Sequence, residues 1–418
     1  MRRAVCNLRE TLISSTLIGA SLCIPGEPGT KQIIIRGIGM WAYLLDSVGL
    51  VHLRLDQAGM IGVAFILAYL GIKKNFEPLL LIPISFGMLM ANMPLAGLAY
   101  DSTFLDPYGN QAFGLLAFMY QSVRLVYLPP LIFLGLGAIT DFSPLIANPK
   151  LWIIGIGGQF GIFTAFGLAL LFGFTPQEAA SIGIIGSADG PTTIFATVQL
   201  APHRLSAIAI AAYSYMALVP MIQPPIMRAL TTAKERVIVM EQPKNVTRKQ
   251  KILFPFIIAT VVLLLVPSAG GLMGMFMLGN LIKESGVADR IAKALGGDFL
   301  SVLTMVVGLS IGASATAANI INLETIGIIV LGLLAFAFGT AWGIIAAKIL
   351  NVATGGKINP LIGSSGVSAM PMVARVSQKL ATEYNPSNFV IMHAMGATLA
   401  SIMGSAIVAG LFVAMFVG

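Results

Sequence analysis

Long apolar runs without formal charge dominate this chain. Residues 205–227 and 325–347 each give 23 such positions, and residues 388–418 give 31 in which only His393 is ionisable. A helix that spans a bilayer needs about 20 residues. Because alternating barrel-type strands are not seen in the sequence, we predict an all-α polytopic membrane protein with about ten to eleven membrane segments, some of them broken.

Composition excludes a water-soluble protein. Hydrophobic residues make up 57% of the 418 residues and charged residues only 10%, with a mean hydropathy of +0.89. A soluble domain carries roughly 25% charged residues. The net charge of +8 is concentrated in residues 228–251, which hold seven basic and two acidic residues. The positive-inside rule predicts that this loop is cytoplasmic, which we favour over nucleic-acid binding.

The basic loop divides the chain into two halves of similar length. Residues 57–228 and 252–418 comprise 172 and 167 positions, and each half holds one apolar segment interrupted by glycine and proline. These segments read IGSADGPTTIF from Ile185 and IGSSGVSAMPMVARV from Ile362. Interrupted segments at corresponding places are typical of transporters with internal repeats. We predict a first half at 40–228, the loop at 229–251 and a second half at 252–418, with the second repeat inverted if the first has an odd number of crossings.

Residues 1–39 do not match the rest of the chain. Their apolar run, TLISSTLIGASLC, is too short to span a bilayer and is compatible with a signal peptide. We favour an N-terminal extension outside the core, with Met40 as the true start. The two cysteines, Cys6 and Cys23, both lie here, so no disulfide framework is expected in the body of the chain.

Asp189 lies in the first interrupted segment and is the main candidate for chemistry. Between Leu151 and Met227 only Glu178, Asp189 and Arg204 carry formal charge. A lone carboxylate at bilayer depth costs several kcal/mol unless something binds it. The glycines and proline around it break the helix, which frees carbonyl oxygens. A cation site is therefore predicted, the alternative being an aspartate paired with a basic residue for packing alone.

Other residues near the two breaks complete the candidate site. Tyr215 lies in the middle of its apolar segment, where it could hydrogen-bond the carboxylate or donate a proton. The guanidinium of Arg375 could grip a carboxylate in bidentate fashion, or extend to the membrane interface. Neutral oxygen atoms suit a hard cation such as sodium. They are offered by Thr192, Thr193, Asn359, Ser364, Ser365 and Ser368.

At these motifs the sequence resembles the beta subunit of the sodium-pumping biotin-dependent decarboxylases, which act on oxaloacetate, methylmalonyl-CoA, glutaconyl-CoA or malonate. The resemblance runs from about residue 41 to the C-terminus. It is carried by KKNFEPLLLIPISFGMLMANMP, IGIIGSADGPTTIF, LAPHRLSAIAIAAYSYMALVPMIQPPIMRALTTAKER and KINPLIGSSGVSAMPMVARVSQK, followed by FVIMHAMG. It implies two inverted repeats with broken helices, arranged as a scaffold and an elevator-like moving core.

The resemblance also implies roles for individual residues. Asp189 corresponds to the sodium-binding aspartate, and Tyr215 to a tyrosine linked to that site and to proton entry. Asn359 and Gly363 correspond to residues of the second broken helix, and Ser368 to a serine of a second sodium or proton site. Arg375 corresponds to the arginine assigned to carboxybiotin. Oxaloacetate-type members usually read HAMGPN where this chain reads HAMGAT, so the shorter Thr398 replaces an asparagine at the ion site.

The function implied is a membrane subunit that decarboxylates carboxybiotin and couples this reaction to sodium export with uptake of one proton. The chain contains no Met-Lys-Met tripeptide, so the biotin is expected on another subunit. Expected partners are an alpha subunit that carries biotin and the carboxyltransferase, a small single-span gamma-type subunit, further copies of this chain, and the bacterial inner membrane; nucleic acid is not expected. The alternative is a stand-alone sodium/proton or sodium/solute carrier.

Overall fold

Helices form nearly all of the ordered elements in the computed structural model, which describes residues 48–74, 78–96, 98, 103–105, 111–241 and 245–417. The chain divides into two units, Met1–His52 and Leu53–Gly418. Within the described part of the first unit, Gly49–His52 form a 3-10 turn. The predicted extension at 1–39 lies outside the described residues.

The first half of the second unit contains nine helices and one short hairpin among its described residues. The hairpin pairs β1, Thr103–Leu105, with β2, Gln111–Phe113, in antiparallel register, and it lies in a loop of the predicted all-α fold. The helices are α1 Leu55–Lys73, α2 Pro78–Ala91, α3 Leu115–Arg124, α4 Leu128–Ile139, α5 Ser143–Ala147, α6 Leu151–Leu171, α7 Pro176–Ile184, α8 Gly190–Leu200 and α9 Leu205–Leu230.

The described residues after α9 form nine further helices. A π-helical turn, Leu295–Phe299, joins two of them, and a 3-10 helix, Pro360–Ser365, opens the second interrupted segment. The helices are α10 Ala233–Arg236, α11 Arg248–Leu265, α12 Gly270–Ser285, α13 Asp289–Ala294, α14 Leu300–Ser314, α15 Ala317–Ile320, α16 Leu323–Ala353, α17 Met372–Tyr384 and α18 Ile391–Phe416.

Five helical stretches among the described residues are long and apolar enough to cross a membrane: Leu55–Lys73, Leu151–Leu171, Asp289–Ser314, Leu323–Ala353 and Ile391–Phe416. The number rises to seven if two bent pairs each count as one span. The chain is thus a polytopic helical membrane protein. The larger number of ten to eleven segments stays a prediction, because several apolar helices, such as α2 with 14 residues, are shorter than a full crossing.

By their strongest contacts the helices fall into two groups, which we call the peripheral and the central bundle, although α4, α11 and α12 share a hydrophobic core with α6, α16 and α18. In the peripheral bundle, α1 packs on α2, α2 and α3 pack on α14, and α12 packs on both α4 and α11. In the central bundle, α6 packs on α16 and α18, and α9 packs on α16. The central bundle contains both interrupted segments, whose small residues allow close helix approach in a membrane.

Each interrupted segment folds back on itself. We call residues 176–200 hairpin A and residues 359–384 hairpin B. Both ends of hairpin A lie at the start of α9, because Glu178 near its beginning accepts hydrogen bonds from Arg204, which follows its end. Both ends of hairpin B lie beyond the end of α9, because Asn359 and Tyr384 each bind Arg236. The hairpins therefore enter the central bundle from opposite ends of α9.

The tips of the two hairpins meet. The backbone N–H of Ser368 in hairpin B donates to the carbonyl oxygen of Ser187 in hairpin A, at 2.7 Å. Hairpin A turns at Ala188, whose φ of 54° and ψ of 39° lie in the left-handed region, and Asp189 then caps α8. A non-glycine residue in this region is uncommon and costs energy that the surrounding structure must offset. The turn is therefore held by its contacts, and these contacts place Asp189 at the junction of the tips.

Candidate functional site

The carboxylate of Asp189 is buried and carries three hydrogen bonds. One oxygen accepts from the backbone N–H of Thr192 at 3.2 Å. The other accepts from the hydroxyl groups of Thr192, at 2.7 Å, and Ser405, at 2.9 Å. The first bond is that of a helix N-cap, in which a side chain satisfies a free N–H of the first turn. Ser405 belongs to α18, so the third bond connects hairpin A to a different helix.

A chain of hydroxyl groups continues from Asp189 to hairpin B. The Ser368 hydroxyl lies 3.3 Å from that of Ser405 and 3.1 Å from that of Ser401, one turn earlier on α18. Ser401 in turn accepts a hydrogen bond of 2.8 Å from the amide nitrogen of Gln159. The amide oxygen of Gln159 is buried and lacks a hydrogen-bond partner in the described part of the chain. Hydroxyl groups of hairpin A and α18 thus contact the carboxylate, that of hairpin B lies one hydrogen bond further away, and Gln159 of α6 bonds to the same chain of hydroxyl groups.

A cavity of about 320 Å³ lies next to this cluster, between the two bundles. Asp189 and Ser368 line its central side together with Tyr213 of α9. Its peripheral side is lined by residues of α2, α4 and α14, among them the hydroxyl residues Ser301 and Thr304. The cavity is therefore mostly apolar, with a few polar groups placed together, which is the usual character of a small-molecule site.

The predicted site residues of hairpin B fall into two places. Ser368 lies at the tip and joins the Asp189 cluster. Arg375 is exposed on α17, one helical turn after the cavity residue Met372, and its guanidinium makes no ion pair or hydrogen bond with the described residues. An exposed cation without a partner among the described residues is available to an incoming anion.

Asn359, Gly363 and Thr398 do not bind Asp189 in this structure. The amide nitrogen of Asn359 donates to the carbonyl oxygens of Arg236 and Ile238, at 3.0 and 2.9 Å, which ties hairpin B to the segment after α10. Gly363 packs on α16, where a Cβ atom would lie 2.5 Å from the carbonyl oxygen of Gly343. The Thr398 hydroxyl donates to Ala394, one turn earlier in its own helix. Their predicted roles in ion binding stay predictions.

Tyr215 is likewise separate from the Asp189 carboxylate. Its hydroxyl donates to the carbonyl oxygen of Ile329 in α16, and its ring packs near Gly332 of the same helix. Tyr213, two residues earlier, lines the cavity instead. The sequence predicts a role at the site for Tyr215 and not for Tyr213.

Ser401, Ser405 and Gln159 were missed as site residues. Ser401 and Ser405 are four residues apart in an apolar helix, so they share one face, and this spacing is a usable signal for a polar site. Gln159 is an amide within an apolar span of 21 residues. Serine and glutamine also serve as packing contacts between membrane helices, so the sequence does not separate the two uses.

Glu178 provides an electrostatic anchor at the base of hairpin A. Its oxygen accepts from Arg204 at 2.7 Å and lies 2.9 Å from the His203 ring nitrogen, and Arg204 also binds Glu324 at the start of α16. Burial alone raises the pKa of Glu178, but the hydrogen bonds from Arg204, His203 and Thr175 outweigh it and lower the pKa to about 2. The hairpin base is thus held by a charged network away from the cavity.

The donor set at the hairpin tips suits an alkali metal ion better than a transition metal. No group of three His, Cys, Asp or Glu side chains that could hold a metal occurs in the described part of the chain. Asp189 supplies one charge, and hydroxyl and carbonyl groups supply neutral oxygens. Hard cations prefer such oxygen ligands.

The fold defines a polytopic membrane protein in which two broken segments bring a buried carboxylate and several hydroxyl groups together. Residues 56–416 match the family model described as Na⁺-transporting oxaloacetate decarboxylase beta subunit. The chain therefore belongs to this family, and the predicted resemblance is confirmed.

Three relatives illustrate the family. The chain is 49% identical to methylmalonyl-CoA decarboxylase subunit beta of Veillonella parvula, in an alignment that covers 89% of this chain and 96% of that protein. It is 46% identical to the oxaloacetate decarboxylase beta chain of Klebsiella pneumoniae, with 88% and 96% covered. It is 45% identical to glutaconyl-CoA decarboxylase subunit beta of Acidaminococcus fermentans, with 91% and 98% covered. The chain is thus a membrane subunit of a sodium-transporting decarboxylase, and the alternative of a stand-alone carrier is not supported.

Proposed function

We propose that this chain decarboxylates carboxybiotin delivered by another subunit, and that it uses this reaction to export sodium while one proton is taken up. The observation that carries the proposal is the buried Asp189 carboxylate, which lies at the meeting point of two hairpins and beside a cavity. A carboxylate at bilayer depth that has no basic partner is costly in free energy unless it binds a cation or a proton. Sodium and a proton thus compete for one group, which is the basis for exchanging them.

The proposed sodium site consists of the Asp189 carboxylate with the neighbouring hydroxyl groups. Thr192 and Ser405 already contact the carboxylate, and Ser368 lies one hydrogen bond further away. When sodium binds, these hydroxyl groups would turn their lone pairs toward the ion. Four further residues remain proposed contributors: Asn359, Gly363, Thr398 and Tyr215. Their participation requires hairpin B, α18 and α9 to move relative to this structure.

Arg375 is the proposed binding residue for the carboxylate of carboxybiotin. It is exposed and lies on α17 between the tip of hairpin B and the end that binds Arg236 in the predicted cytoplasmic loop. A ligand that approaches from this side would meet Arg375 before it reaches Ser368 and Asp189. A planar guanidinium fork recognises a carboxylate through two parallel hydrogen bonds.

For transport we propose the two-repeat, elevator-like arrangement. It is supported by hairpins that enter from opposite ends of α9, and by a cavity bounded by the peripheral bundle on one side and the central bundle on the other. The central bundle would move with its ion against the peripheral bundle. Because a ligand shifts a conformational equilibrium only through different affinities for the two states, sodium binding and decarboxylation must each favour one position.

We propose that the chain works in the bacterial inner membrane with an alpha subunit that carries biotin and the carboxyltransferase, a single-span gamma-type subunit and further copies of itself. The support is that its relatives are named as subunits of decarboxylases. The net charge of +5 in residues 228–251 fits a loop on the cytoplasmic side, where a soluble partner would approach.

The test uses the purified complex reconstituted in liposomes, with free carboxybiotin as substrate. Wild-type protein is expected to release CO₂ in a sodium-dependent manner and to move sodium across the membrane. Asp189→Asn should lose both, whereas Arg375→Ala should raise the KM for carboxybiotin sharply and keep sodium protection of the protein against proteolysis. Sodium-stimulated decarboxylation at the wild-type rate in Asp189→Asn would refute the proposal.

A further inference from the structure

A second cavity, of about 550 Å³, adjoins the main cavity at the ends of α4 and α12, and we call it the vestibule. The two cavities have two lining residues in common, Ile139 and Gly296. At the vestibule the ammonium group of Lys283 donates hydrogen bonds to the carbonyl oxygens of Ile139 and Thr140, at 3.3 and 2.8 Å. A molecule in the vestibule is therefore adjacent to the cavity that Asp189 lines.

The vestibule lies on the side of the protein that carries the basic loop. Lys251, at the start of α11, binds Asp141 just after α4, at 3.4 Å. Arg248 donates a hydrogen bond of 2.6 Å to the carbonyl oxygen of Ser285, the last residue of α12. Because both basic residues belong to the charged segment 228–251, the ends of α4 and α12 lie at the predicted cytoplasmic face.

One face of the helical stretch Asp289–Ser314 forms a wall of both cavities. Residues three or four apart share a helix face, and a rise of 1.5 Å per residue places Lys293 and Thr304 about 16 Å apart along the axis. This shared wall indicates a continuous path from the vestibule to the main cavity. Its lining residues are Asp289, Ala292, Lys293, Gly296 and Gly297 in the vestibule, and Gly296, Leu300, Ser301 and Thr304 in the main cavity.

Glycines in the π-helical turn Leu295–Phe299 form the wall where the two cavities join. A Cβ atom on Gly296 would lie 2.4 Å from a side-chain carbon of Ile139, so this glycine permits close packing on α4. A Cβ atom on Gly297 would have no atom within 4 Å, so this glycine borders open space. Single π-helical turns are rare and occur frequently at functional sites. The absence of a side chain at position 297 leaves the junction open.

The charges of the vestibule favour an anion. Lys293 is exposed and has no partner among the described residues, and Lys283 uses two of its three donor hydrogens. Asp289 is the acidic residue in the described lining, one helical turn further from the main cavity than Lys293, and Asp298 lines neither cavity. Lys293 is therefore the last charged group on this wall before the glycine turn.

We propose that the vestibule is the entrance to the main cavity for anions, where Lys283 and Lys293 attract the carboxylate of incoming carboxybiotin. This inference rests on the proposed function and adds the route by which its substrate arrives. A charged cleft with apolar walls raises the local concentration of ions of opposite sign. The two lysines bind and orient the anion at the entrance and take no part in the chemistry, so their removal raises the KM for carboxybiotin and leaves kcat unchanged.

Thiol modification of the intact complex tests the entrance without requiring turnover. The native Cys6 and Cys23 are replaced by serine, and Ser301→Cys places one thiol in the main cavity. The rate of its reaction with the anion 2-sulfonatoethyl methanethiosulfonate is divided by the rate with the cationic 2-(trimethylammonium)ethyl analogue. Lys293→Glu should lower this ratio about 10-fold, because attraction of the anion becomes repulsion.

Arg290→Glu is the matched control, since Arg290 is an exposed cation of the same helix that lines neither cavity. Its ratio of rates should change by less than about 3-fold, because solvent and salt screen a charge outside the path. An unchanged ratio in Lys293→Glu, or an equal change in both variants, would overturn the inference.

Gly297 tests whether the junction is the route. Gly297→Phe places a ring in the open space and should abolish modification of Ser301→Cys by both reagents, whereas Gly297→Ala fits that space and should leave the rates unchanged. Unchanged modification in Gly297→Phe would show that molecules reach the main cavity by another way and would overturn the inference.

Two further arms separate this proposal from its alternatives. An anion at the lysines could also be a lipid headgroup, so the rates are measured in vesicles of phosphatidylcholine with and without phosphatidylglycerol. Equal rates support entry of a small anion, and protection by phosphatidylglycerol would assign the lysines to lipid and overturn the inference. Failure of the wild-type complex to release CO₂ from carboxybiotin would instead defeat the proposed function, while the modification rates would still report on the entrance.

Discussion

At the scale of single residues, the Asp189 carboxylate is bound by groups of hairpin A and of α18. The Ser405 hydroxyl is the donor that comes from outside the hairpin, at 2.9 Å, and it also lies within bonding distance of Ser368. A hydrogen bond to a charged group contributes about 1.5–3 kcal/mol, and its loss in a buried site leaves the charge less well satisfied. We therefore expect Ser405 to contribute to the proposed sodium site as much as the residues of the hairpins do.

Replacement of Ser405 by alanine tests this assignment. We expect Ser405→Ala to weaken sodium binding by about 10- to 100-fold, because about 1.5–3 kcal/mol of interaction with the carboxylate is lost. Sodium titration of the purified complex measures the change. Ser310→Ala is the control, since Ser310 is equally buried but bonds only to Val306 of its own helix. Equal sodium affinity in Ser405→Ala and wild type would exclude Ser405 from the site.

Two residues show what the sequence could and could not predict at this scale. The cost of a lone charge in the membrane identifies Asp189, and the structure places it where the helix breaks. The choice between Tyr213 and Tyr215 depends on the rotation of α9, and both residues lie in the same apolar segment. Only the packing of α9 against α16 decides which phenol faces the cavity.

At the scale of elements, each hairpin is fixed at its base and turns at its tip. Hairpin A begins with a capping box, in which Thr175 and Glu178 bind each other's backbone N–H groups, and Pro176 occupies the first helical position. Glu178 extends the cap into the network with Arg204 and Glu324. Glycine and proline in the sequence predict that the helix breaks in each interrupted segment. They do not predict that the two ends of each segment lie at the same end of α9. That property depends on contacts between residues far apart in the chain.

The Glu178 network predicts a pH dependence of stability. Because hydrogen bonds hold the pKa of Glu178 at about 2, below its ordinary 4.5, the stability that the carboxylate contributes is complete above pH 4.5. It is lost as the pH falls from 4.5 toward 2. Thermal unfolding should show Glu178→Gln less stable than wild type near neutral pH, with a difference of about 1–3 kcal/mol that disappears toward pH 2.

The matched control for this prediction is Glu383→Gln. Glu383 pairs with Arg228 at 2.8 Å, but both side chains are about half exposed, and such surface pairs contribute about 0–1 kcal/mol. Its removal should have little effect at any pH. A stability difference between Glu178→Gln and wild type that stays constant from pH 7 to pH 2 would contradict the role of the carboxylate charge.

At the scale of the whole molecule, the hydroxyl groups around Asp189 lie in the central bundle, and the adjacent cavity is also lined by residues of the peripheral bundle. The near-equal lengths of the two halves suggest two repeats, and the opposed hairpins agree with that arrangement. The division into bundles could not be predicted from hydropathy, because α1, α6 and α14 are all apolar spans, yet they belong to different bundles. In the elevator-like arrangement that we propose, a site at this boundary changes its surroundings when the central bundle moves.

The central claim is that the intact protein binds sodium through the carboxylate of Asp189. Isothermal titration calorimetry of the detergent-solubilised complex with NaCl, at constant ionic strength maintained with choline chloride, tests it most directly. The account predicts saturable heat with wild-type protein, an apparent affinity that weakens as the pH is lowered because protons compete for the carboxylate, and no saturable heat with Asp189→Asn. Sodium binding of unchanged affinity in Asp189→Asn would contradict it.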